Sequence, residues 1–336
     1  MALNLEEIAR LTGKSRSTVS RVINNDPHVS EDTREQVMAV VRRLDYHPNA
    51  AARSLAAGRT RVLGVVIPTG VSSLFTDPYF PLLVQGVASA CNAHDHAVML
   101  WLAEPEFERR TISKVMHGGL IDGVILASVL TDDPLLQALS EGDLPFVSVG
   151  RQPDFSQLSY VDVDNVNSAR EAVAHLLRLG RRRVASITGL LSMNVGADRR
   201  VGYLDALRQR SLPVDPDLII EGDFTERGGY AAMQRLLPFA PDGVFVASDM
   251  MAIGAQRALR DAGRRVPEDV AVVSFDDMPF AARAEPPLTT MRQPIHRTGV
   301  VAAETLIDLI DSPDRQPRRI LLPTELIIRE SCGSRT

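Results

Sequence analysis

The amino-acid sequence predicts an N-terminal all-α domain followed by a larger α/β domain with two lobes. Within residues 1–60, apolar residues recur three and four positions apart in short segments, which is typical of amphipathic helices. From Arg61 onward, short apolar runs alternate with amphipathic stretches of helical length, and this alternation predicts parallel sheets covered by helices. The number of apolar runs exceeds what one small sheet needs, so we expect two α/β lobes.

The composition is that of a globular protein, and its charge is unevenly distributed. Of 336 residues, 45% are hydrophobic and 24% are charged, and the net charge is -5. Residues 1–60 hold nine Arg or Lys against seven Asp or Glu, which gives +2 and leaves -7 for the remainder. A relatively basic module on an acidic body favours nucleic-acid binding. No secretory segment or membrane-spanning run is evident, so we expect a cytoplasmic protein without a membrane partner.

The sequence lacks the patterns of common catalytic and cofactor sites. No G-x-G-x-x-G follows the first apolar run, and no Walker loop, nucleophile elbow or H-E-x-x-H motif occurs. Cys91 and Cys332 have no spacing that indicates a disulfide framework or a metal site. His94 and His96 have no third ligand at a recognisable spacing and are interpreted as a surface turn. We therefore expect neither an enzyme nor a protein with a metal or other cofactor.

Residues 5–24 predict two short helices joined by a tight turn at Thr12-Gly13. The apolar side of the first helix consists of Leu5, Ile8, Ala9 and Leu11. In the second helix Ser15 is a good N-cap, and the apolar stripe facing a core consists of Val19, Val22 and Ile23. The opposite side has no acidic residue and presents Arg16, Ser17, Thr18, Ser20 and Arg21. Such a face suits a helix whose N-terminus enters the major groove of DNA, and the alternative is an ordinary polar surface helix.

A third helix and a marginal helical segment follow. Ser30 is the expected N-cap of the third helix, whose apolar positions are Val37, Val40, Val41 and Leu44. In residues 48–58, Pro48 and Asn49 favour a helix start, alanines favour its continuation and Gly58 ends it. The segment is too short to be helical alone. Leu55, its one large apolar residue, is either a wedge inserted into a DNA minor groove or part of a simple alanine-rich linker.

The α/β part has eight apolar runs that predict strands. They are residues 62–67, 98–101, 123–127, 145–149, 184–188, 218–220, 243–247 and 270–275. Helical patterns lie at residues 166–179, 199–210 and 250–262, among others. Ligands of parallel sheets bind at the carboxyl ends of the strands. The side chains that follow the predicted strands are Thr69, Asp77, Arg151, Thr188, Phe224, Ser248, Asp249, Asp276 and Asp277.

Several of these segments together resemble the lactose/galactose repressor family of bacterial transcription regulators. The likeness begins with residues 5–24, 29–34 and 46–55, and continues in residues 244–249, 274–277 and 287–290. It implies a helix-turn-helix domain at 1–47, a hinge helix and linker at 48–60 and a sensor resembling periplasmic sugar-binding proteins at 61–332. By the same likeness, lobe one comprises 61–161 plus 291–320, and lobe two comprises 162–290 plus 321–332.

The resemblance implies roles at double-stranded operator DNA. Arg16 and Ser17 are expected to read base edges, and Arg21 is expected to contact a guanine. Residues expected to contact phosphates are Ser15, Thr18, Ser20 and Asn24. In the hinge the expected DNA-contacting residues are Ala52, Arg53 and the wedge Leu55. A homodimer is implied, and the chain has no leucine-heptad tail that would favour a tetramer.

The resemblance also implies a small-molecule effector, and we expect a mono- or oligosaccharide. Arg199 and Asp276 match the family's effector-binding residues, and Phe224 matches the aromatic residue that lies against the ligand ring. The residues themselves leave open that Arg199 is a helix ion-pair residue and Asp276 a loop cap. Further candidates are Asp77, Tyr79, Phe80, Arg151, Ser248 and Asp249. Ser248 stands where many members have Asn, and the segment from Pro68 to Phe80 is long, as in regulators of oligosaccharide use.

Three functional hypotheses follow from the sequence. The first is a sugar-responsive dimeric repressor of carbohydrate-utilisation genes that binds a pseudo-palindromic operator and is released by a sugar inducer. The second is a regulator whose operator affinity is increased by a co-repressor, which is a nucleobase or another small metabolite. The third is an α/β enzyme or solute-binding protein with an incidental helical N-terminus, for which DNA is irrelevant.

Leu55→Ala tests the wedge hypothesis. The variant is expected to lower operator affinity about tenfold or more, ~1.4 kcal/mol, and to leave effector binding unchanged. DNA affinity is measured by fluorescence anisotropy, with Ser54→Ala as the control at the adjacent position. Equal affinity of both variants and the wild type for DNA would rule the wedge out.

Overall fold

A computed structural model describes residues 4–23, 26–46, 59–67, 75–102, 118–127, 130–155, 157–312 and 316–334. The chain divides into two compact units, residues 1–60 and residues 61–336. Several predicted site residues lie outside the described residues, and their roles stay predictions: Asn24, Ala52, Arg53, Leu55 and Thr69.

The N-terminal unit is built from three short helices around one apolar core. The helices are α1 (Leu5–Thr12), α2 (Arg16–Ile23) and α3 (Glu31–Arg43). The fully or nearly buried core residues are Ile8, Val19, Val22, Val37 and Val41. Gly13 has a φ of 65°, a left-handed conformation that ends α1 and turns the chain toward α2. The helix-turn-helix predicted for this region is confirmed.

Two details of this unit differ from the sequence-based expectation. Leu11 is 43% exposed and lies outside the core, because only the other apolar positions of α1 face α2 and α3. Ser30 lies at the N-cap position of α3, but its hydroxyl donates to Thr33 Oγ1 at 3.0 Å instead of accepting a backbone N–H.

The second unit contains two six-stranded sheets. The first is formed by β1 (Val62–Ile67), β2 (Ala97–Leu102), β3 (Gly123–Ala127), β4 (Phe146–Val149), β5 (Ser159–Val163) and β11 (Arg319–Leu322). The second is formed by β6 (Val184–Thr188), β7 (Ile219–Glu221), β8 (Gly243–Val246), β9 (Ala271–Asp276), β10 (Thr289–Arg292) and β12 (Glu325–Ile327). Their orders are β11-β5-β4-β3-β1-β2 and β12-β10-β9-β8-β6-β7. All neighbouring strands are parallel except β10 and β12.

Helices cover both sheets, and we call each sheet with its helices a lobe. Lobe one has α4 (Tyr79–Ala93), α5 (Pro134–Glu141) and α10 (Ile295–Asp311), and lobe two has α6 (Asn165–Arg178), α7 (Asn194–Gln209), α8 (Glu226–Leu236) and α9 (Asp249–Asp261). The helices pack in the pairs α4–α10, α6–α7 and α8–α9. Separate apolar clusters lie on the two faces of each sheet. The predicted two-lobed α/β fold is confirmed.

The chain passes between the lobes after β5, after β10 and after β11. These strands end at residues 163, 292 and 322, so each crossing lies two residues later than the expected lobe boundaries. The parallel strands of both sheets direct their carboxyl ends toward the space between the lobes, where ligand sites of such sheets occur. Among the described residues, no helix is both long enough and apolar enough to cross a membrane.

Gly299→Ala tests the close packing of α4 on α10. A Cβ at Gly299 would lie 2.2 Å from the Leu83 carbonyl oxygen, and one at Gly86 would lie 2.0 Å from the His296 carbonyl oxygen. The helices must therefore separate to admit a methyl group, which is expected to lower the free energy of unfolding by about 3 kcal/mol. Urea unfolding measures the loss. The control is Gly243→Ala, whose Cβ would meet its nearest neighbour at 3.4 Å, and equal stability of the two variants would contradict the packing.

Candidate DNA-binding helix and ligand cavity

The N-terminus of α2 is capped by its own hydroxyl groups. Ser15 Oγ accepts the Thr18 backbone N–H at 3.1 Å and lies 2.8 Å from both Ser17 Oγ and Thr18 Oγ1. The N-cap predicted for Ser15 is thus confirmed. Exposed hydroxyls and backbone N–H groups at a helix N-terminus form a surface that suits the phosphate oxygens of DNA.

Two exposed arginines flank this N-terminus and the next turn of α2. Arg16 lies 3.9 Å from Glu6 and Arg21 lies 3.8 Å from Asp26, and both arginine side chains are more than two-thirds exposed. Ion pairs of this length and exposure contribute at most about 1 kcal/mol, so either guanidinium can exchange its carboxylate for another acceptor. No acidic residue lies in the first turn of α2. The predicted reading residues of α2 therefore share one exposed, cationic and hydroxyl-rich surface.

The main cavity of the second unit lies between the two lobes and has a volume of about 640 Å³. Its wall is built from side chains that follow the carboxyl ends of strands in both sheets. Eight of the nine predicted effector residues line it, namely Asp77, Tyr79, Phe80, Arg151, Arg199, Phe224, Ser248 and Asp276. The volume is within the range of sites for small molecules, ~300–1,000 Å³.

Arg199 is a buried cation in the wall of this cavity. Its Nε donates to Asn165 Oδ1 at 3.0 Å, and its Nη1 donates to the Ala247 carbonyl at 2.5 Å and to Asp276 Oδ1 at 3.4 Å. Its guanidinium carbon lies 3.6 Å from the centre of the Phe275 ring. Burial lowers the pKa of Arg199, and the charge of Asp276 opposes this shift. The side chain is held in one orientation by partners from three segments of lobe two.

Asp276 is presented to the cavity by an unusual backbone turn. It has a φ of 118° and Asp277 has a φ of 57°, conformations that non-glycine residues rarely adopt. The turn is supported at Asp277, whose carboxylate accepts from Arg292 Nε at 2.7 Å and from Arg329 Nη2 at 2.6 Å. Gln293 Nε2 donates to Asp276 Oδ1 at 2.6 Å. Burial raises the pKa of Asp276, and the charge of Arg199 opposes this shift.

Phe224 forms part of the apolar wall. It also has a left-handed backbone, with a φ of 64°, and its ring lies directly against Gly189. A Cβ at Gly189 would lie 2.0 Å from Phe224 Cζ, so only glycine leaves room for the ring there. Leu130, Met193 and Val195 extend the apolar surface of the cavity.

Asp249 is not among the residues that line the cavity, and its role as an effector-binding residue stays a prediction. It is fully buried beneath the wall, where its carboxylate accepts from Ser274 Oγ at 2.5 Å, Thr290 Oγ1 at 2.7 Å and Met278 N at 2.7 Å. Burial raises the pKa of Asp249 to about 6. Its neighbour Ser248 does line the cavity, but its Oγ accepts from Met251 N at 3.3 Å and caps α9.

Arg151 and Asp77 line the cavity with side chains that already have partners. Arg151 Nε and Nη2 both donate to Asp198, the first at 2.5 Å. Asp77 Oδ1 accepts from Tyr79 N at 3.0 Å, and burial raises the pKa of Asp77. These contacts leave Arg199, Asp276 and the amide side chains as the most direct polar groups for a ligand.

Several polar residues of the cavity were missed by the sequence-based reasoning. They are Gln152, Asp162, Asn165, Asn194, Asp223, Glu226, Arg227 and Gln293. Asp162 lies in β5 and Gln293 follows β10, two short strands whose mixed composition does not produce an apolar run. Recognising β5 and β10 as strands would have identified both, because each residue lies near the carboxyl end of its strand.

The described residues contain no group of three or more His, Cys, Asp or Glu side chains arranged to hold a metal ion. His96 Nδ1 lies 2.7 Å from the His94 carbonyl oxygen on an exposed turn, as the sequence indicated. The chemistry of the cavity is that of recognition: one buried ion pair, several amide and carboxylate groups and an aromatic wall.

A helix-turn-helix unit and a two-lobed ligand-binding unit in one chain define a DNA-binding regulator controlled by a small molecule. The family model "Bacterial regulatory proteins, lacI family" matches residues 4–49, and the model "Periplasmic binding protein-like domain" matches residues 173–332. The chain is 42% identical over 332 residues to the HTH-type transcriptional regulator CelR of Thermobifida fusca, across 97% of each protein.

Two solved structures extend this similarity. The transcriptional regulator CelR-cellobiose complex is 40% identical, with a TM-score of 0.79 across 98% of this chain and 99% of that chain. The lac repressor dimer bound to operator and the anti-inducer ONPF is 26% identical, with a TM-score of 0.87 across 99% of this chain and 100% of that chain. The chain belongs to the lacI family of bacterial regulatory proteins. It is a transcription regulator rather than an enzyme.

The pH dependence of stability tests the structural role of Asp249. The raised pKa of Asp249 means that the folded state disfavours the ionised carboxyl. The protonated carboxyl therefore contributes its full stabilisation below about pH 4, and this stabilisation is lost as the pH rises through about 6. Relative to Asp249→Asn, the wild type is expected to lose about 3 kcal/mol of unfolding free energy between about pH 4 and 6. Urea unfolding at several pH values measures this, with the exposed Asp143→Asn as the control. Parallel pH profiles of wild type and Asp249→Asn would contradict the burial effect.

Proposed function

We propose that this protein is a transcriptional repressor that binds operator DNA as a homodimer and is released when a neutral sugar of the cellobiose class occupies the cavity between its lobes. The observation that carries the proposal is the buried pair of Arg199 and Asp276 in the wall of a cavity of about 640 Å³, whose apolar lining includes Phe224.

The side chains of the cavity match the chemistry of a sugar. Vicinal hydroxyls of a sugar donate to a carboxylate such as that of Asp276 and accept from a guanidinium or amide such as those of Arg199 and Gln293. The apolar face of a pyranose ring packs on an aromatic side chain, which Phe224 supplies. A second polar set, Asp223, Thr225, Glu226 and Arg227, comes from the segment after β7 and from the first turn of α8. Two polar sets suit two linked sugar rings.

The charge balance of the cavity favours a neutral ligand. Five acidic residues line it (Asp77, Asp162, Asp223, Glu226 and Asp276), against three arginines (Arg151, Arg199 and Arg227). Arg151 and Arg199 are already paired with Asp198 and Asp276. A phosphorylated or carboxylated sugar would therefore lose hydration in a wall that holds more carboxylates than arginines, which costs several kcal/mol unless a cation pairs with it.

The relatives support the same class of ligand and the same assembly. The similar CelR structure is described as a cellobiose complex, and the similar lac repressor structure as a dimer bound to operator. In our proposal Arg16, Ser17 and Arg21 read base edges, and Ser15, Thr18, Ser20 and Asn24 contact phosphates. Ala52, Arg53 and Leu55 contact the DNA from the hinge. Because its proposed partner is chromosomal DNA, we expect the protein to act in the cytoplasm.

Anisotropy titrations with the DNA upstream of the protein's own gene test the proposal. Cellobiose is expected to weaken specific DNA binding at least about tenfold, whereas adenine and hypoxanthine leave it unchanged. Asp276→Asn should bind the DNA like the wild type but need about 10–100 times more cellobiose for release, because a hydrogen bond to a charged group contributes about 1.5–3 kcal/mol.

The same assay tests the proposed role of α2 in sequence-specific DNA binding. Arg21→Ala is expected to lose sequence-specific binding by about 1–3 kcal/mol, whereas Arg42→Ala on α3 removes the same charge and keeps specificity. Absence of specific DNA binding, or tighter binding with a nucleobase, would refute the proposed repressor. Binding that another neutral sugar releases in place of cellobiose would correct only the sugar.

A further inference from the structure

Among the described residues, the contacts that join the two lobes beside the cavity include three polar ones away from the crossing segments. Arg151 Nε and Nη2 bind Asp198, Asn194 Nδ2 donates to Gln152 Oε1 at 2.9 Å, and the Thr131 backbone N and Oγ1 donate to the Ser192 carbonyl at 2.8 and 2.6 Å. In each contact one partner follows a strand of lobe one, and the other lies in α7 or just before it in lobe two. The charged pair is the strongest of the three, because both hydrogen bonds are charge-assisted and bidentate.

The Arg151–Asp198 pair is anchored on both sides of the cleft. The Arg151 backbone N–H donates to Asp162 Oδ2 at 2.8 Å, which ties the arginine to β5. Asp198 is held in α7, and its side chain is only 7% exposed, against 38% for Arg151. Asp198 immediately precedes Arg199 in the same turn of α7. Asp198 makes the inter-lobe contact, and Arg199 lies in the cavity wall.

We propose that Arg151 is a positioning residue for the effector: its ion pair with Asp198 holds the lobes together and so sets effector affinity without contacting the effector. This inference rests on the proposed sugar-responsive function. With Nε and Nη2 directed at Asp198, one of the two bidentate edges of the Arg151 guanidinium is already occupied by a protein carboxylate. Its position in the cavity wall is therefore a consequence of the inter-lobe contact.

The physical cause lies in the burial of Asp198. With the lobes together, loss of the Arg151 charge leaves a nearly buried carboxylate without its partner, which strongly disfavours that arrangement. With the lobes apart, water solvates the same carboxylate. Removing either partner therefore shifts the balance toward separated lobes. Because apparent affinity scales with the fraction of molecules in the binding-competent arrangement, the effector binds more weakly.

A double-mutant cycle on cellobiose binding distinguishes a positioning role from direct contact. The variants are Arg151→Gln, Asp198→Asn and the double variant, with Kd measured by calorimetry on the full-length protein. We expect all three to bind cellobiose about 10–100 times more weakly than the wild type, with the double variant no weaker than the single ones. The control is Arg318→Gln, which breaks a pair with Asp308 inside lobe one at 2.7 Å and should leave Kd unchanged.

Direct contact between Arg151 and the sugar predicts a different pattern of affinities. If Arg151 contacts the sugar, Arg151→Gln weakens binding while Asp198→Asn, which lines no part of the cavity, leaves it within about twofold of the wild type. That outcome overturns the inference. A positioning role also predicts partial rescue by Arg151→Lys, which restores the charge but not the bidentate geometry.

The distance between the lobes, measured in the absence of ligand, tests this inference independently of the proposed function. Spin labels at Gln137→Cys in α5 and Gln209→Cys in α7 report the distance between the lobes, since both sites are exposed and Cys91 and Cys332 are buried. Dilution with unlabelled protein limits the signal to labels within one chain. Arg151→Gln and Asp198→Asn should each shift the distance distribution relative to the labelled wild type, and Arg318→Gln should not.

The two experiments fail in different ways. A wild type that does not bind cellobiose refutes the proposed ligand, while the shift in inter-lobe distance still supports the role of the pair. Distance distributions that are identical in all variants overturn the role of the pair, whatever the wild type binds.

Discussion

The cavity depends on one buried cation, Arg199. A guanidinium without solvent is tolerated only when charged and hydrogen-bonding partners surround it, because its desolvation costs several kcal/mol. Its partners come from separate places in the chain: Asn165 begins α6, Ala247 follows β8 and Asp276 ends β9. The cation is therefore stabilised only when lobe two is fully assembled, and assembly in turn leaves a preformed polar wall facing the cavity.

Beneath this wall lies a second polar layer that does not face the ligand. Asp249 binds Ser274, Thr290 and the backbone of Met278, and Asp277 is held by Arg292 and Arg329. These contacts join α9, β9, β10 and the segment after β12. They hold the two left-handed residues at 276 and 277, so the orientation of Asp276 is determined before any ligand binds. Ligand-dependent change is better accommodated between the lobes, where the contacts are fewer and more exposed.

The chain thus separates its two recognition tasks. The predicted reading residues of α2 lie on one exposed face. Its loose ion pairs with Glu6 and Asp26 leave either arginine able to exchange its carboxylate for another acceptor. The sensor does the opposite, because Arg199 and Asp276 are fixed by buried contacts.

The sequence by itself determined the three N-terminal helices, the polar face of α2, eight of the twelve strands in the described residues and eight of the side chains that line the cavity. These features follow from local periodicity and from the rule that polar residues after parallel strands converge. Only the tertiary structure decided which of two neighbouring polar residues lines the cavity. Ser248-Asp249 and Asp276-Asp277 read alike in sequence, yet Asp249 and Asp277 bind protein groups from distant strands.

The short strands β5, β10, β11 and β12 were also decided at the tertiary level, because pairing with a neighbouring strand, and not their own composition, makes them strands. The same holds for Arg151. Its partner Asp198 is 47 residues away, on the other lobe, and no local pattern indicates that packing brings the two charges together.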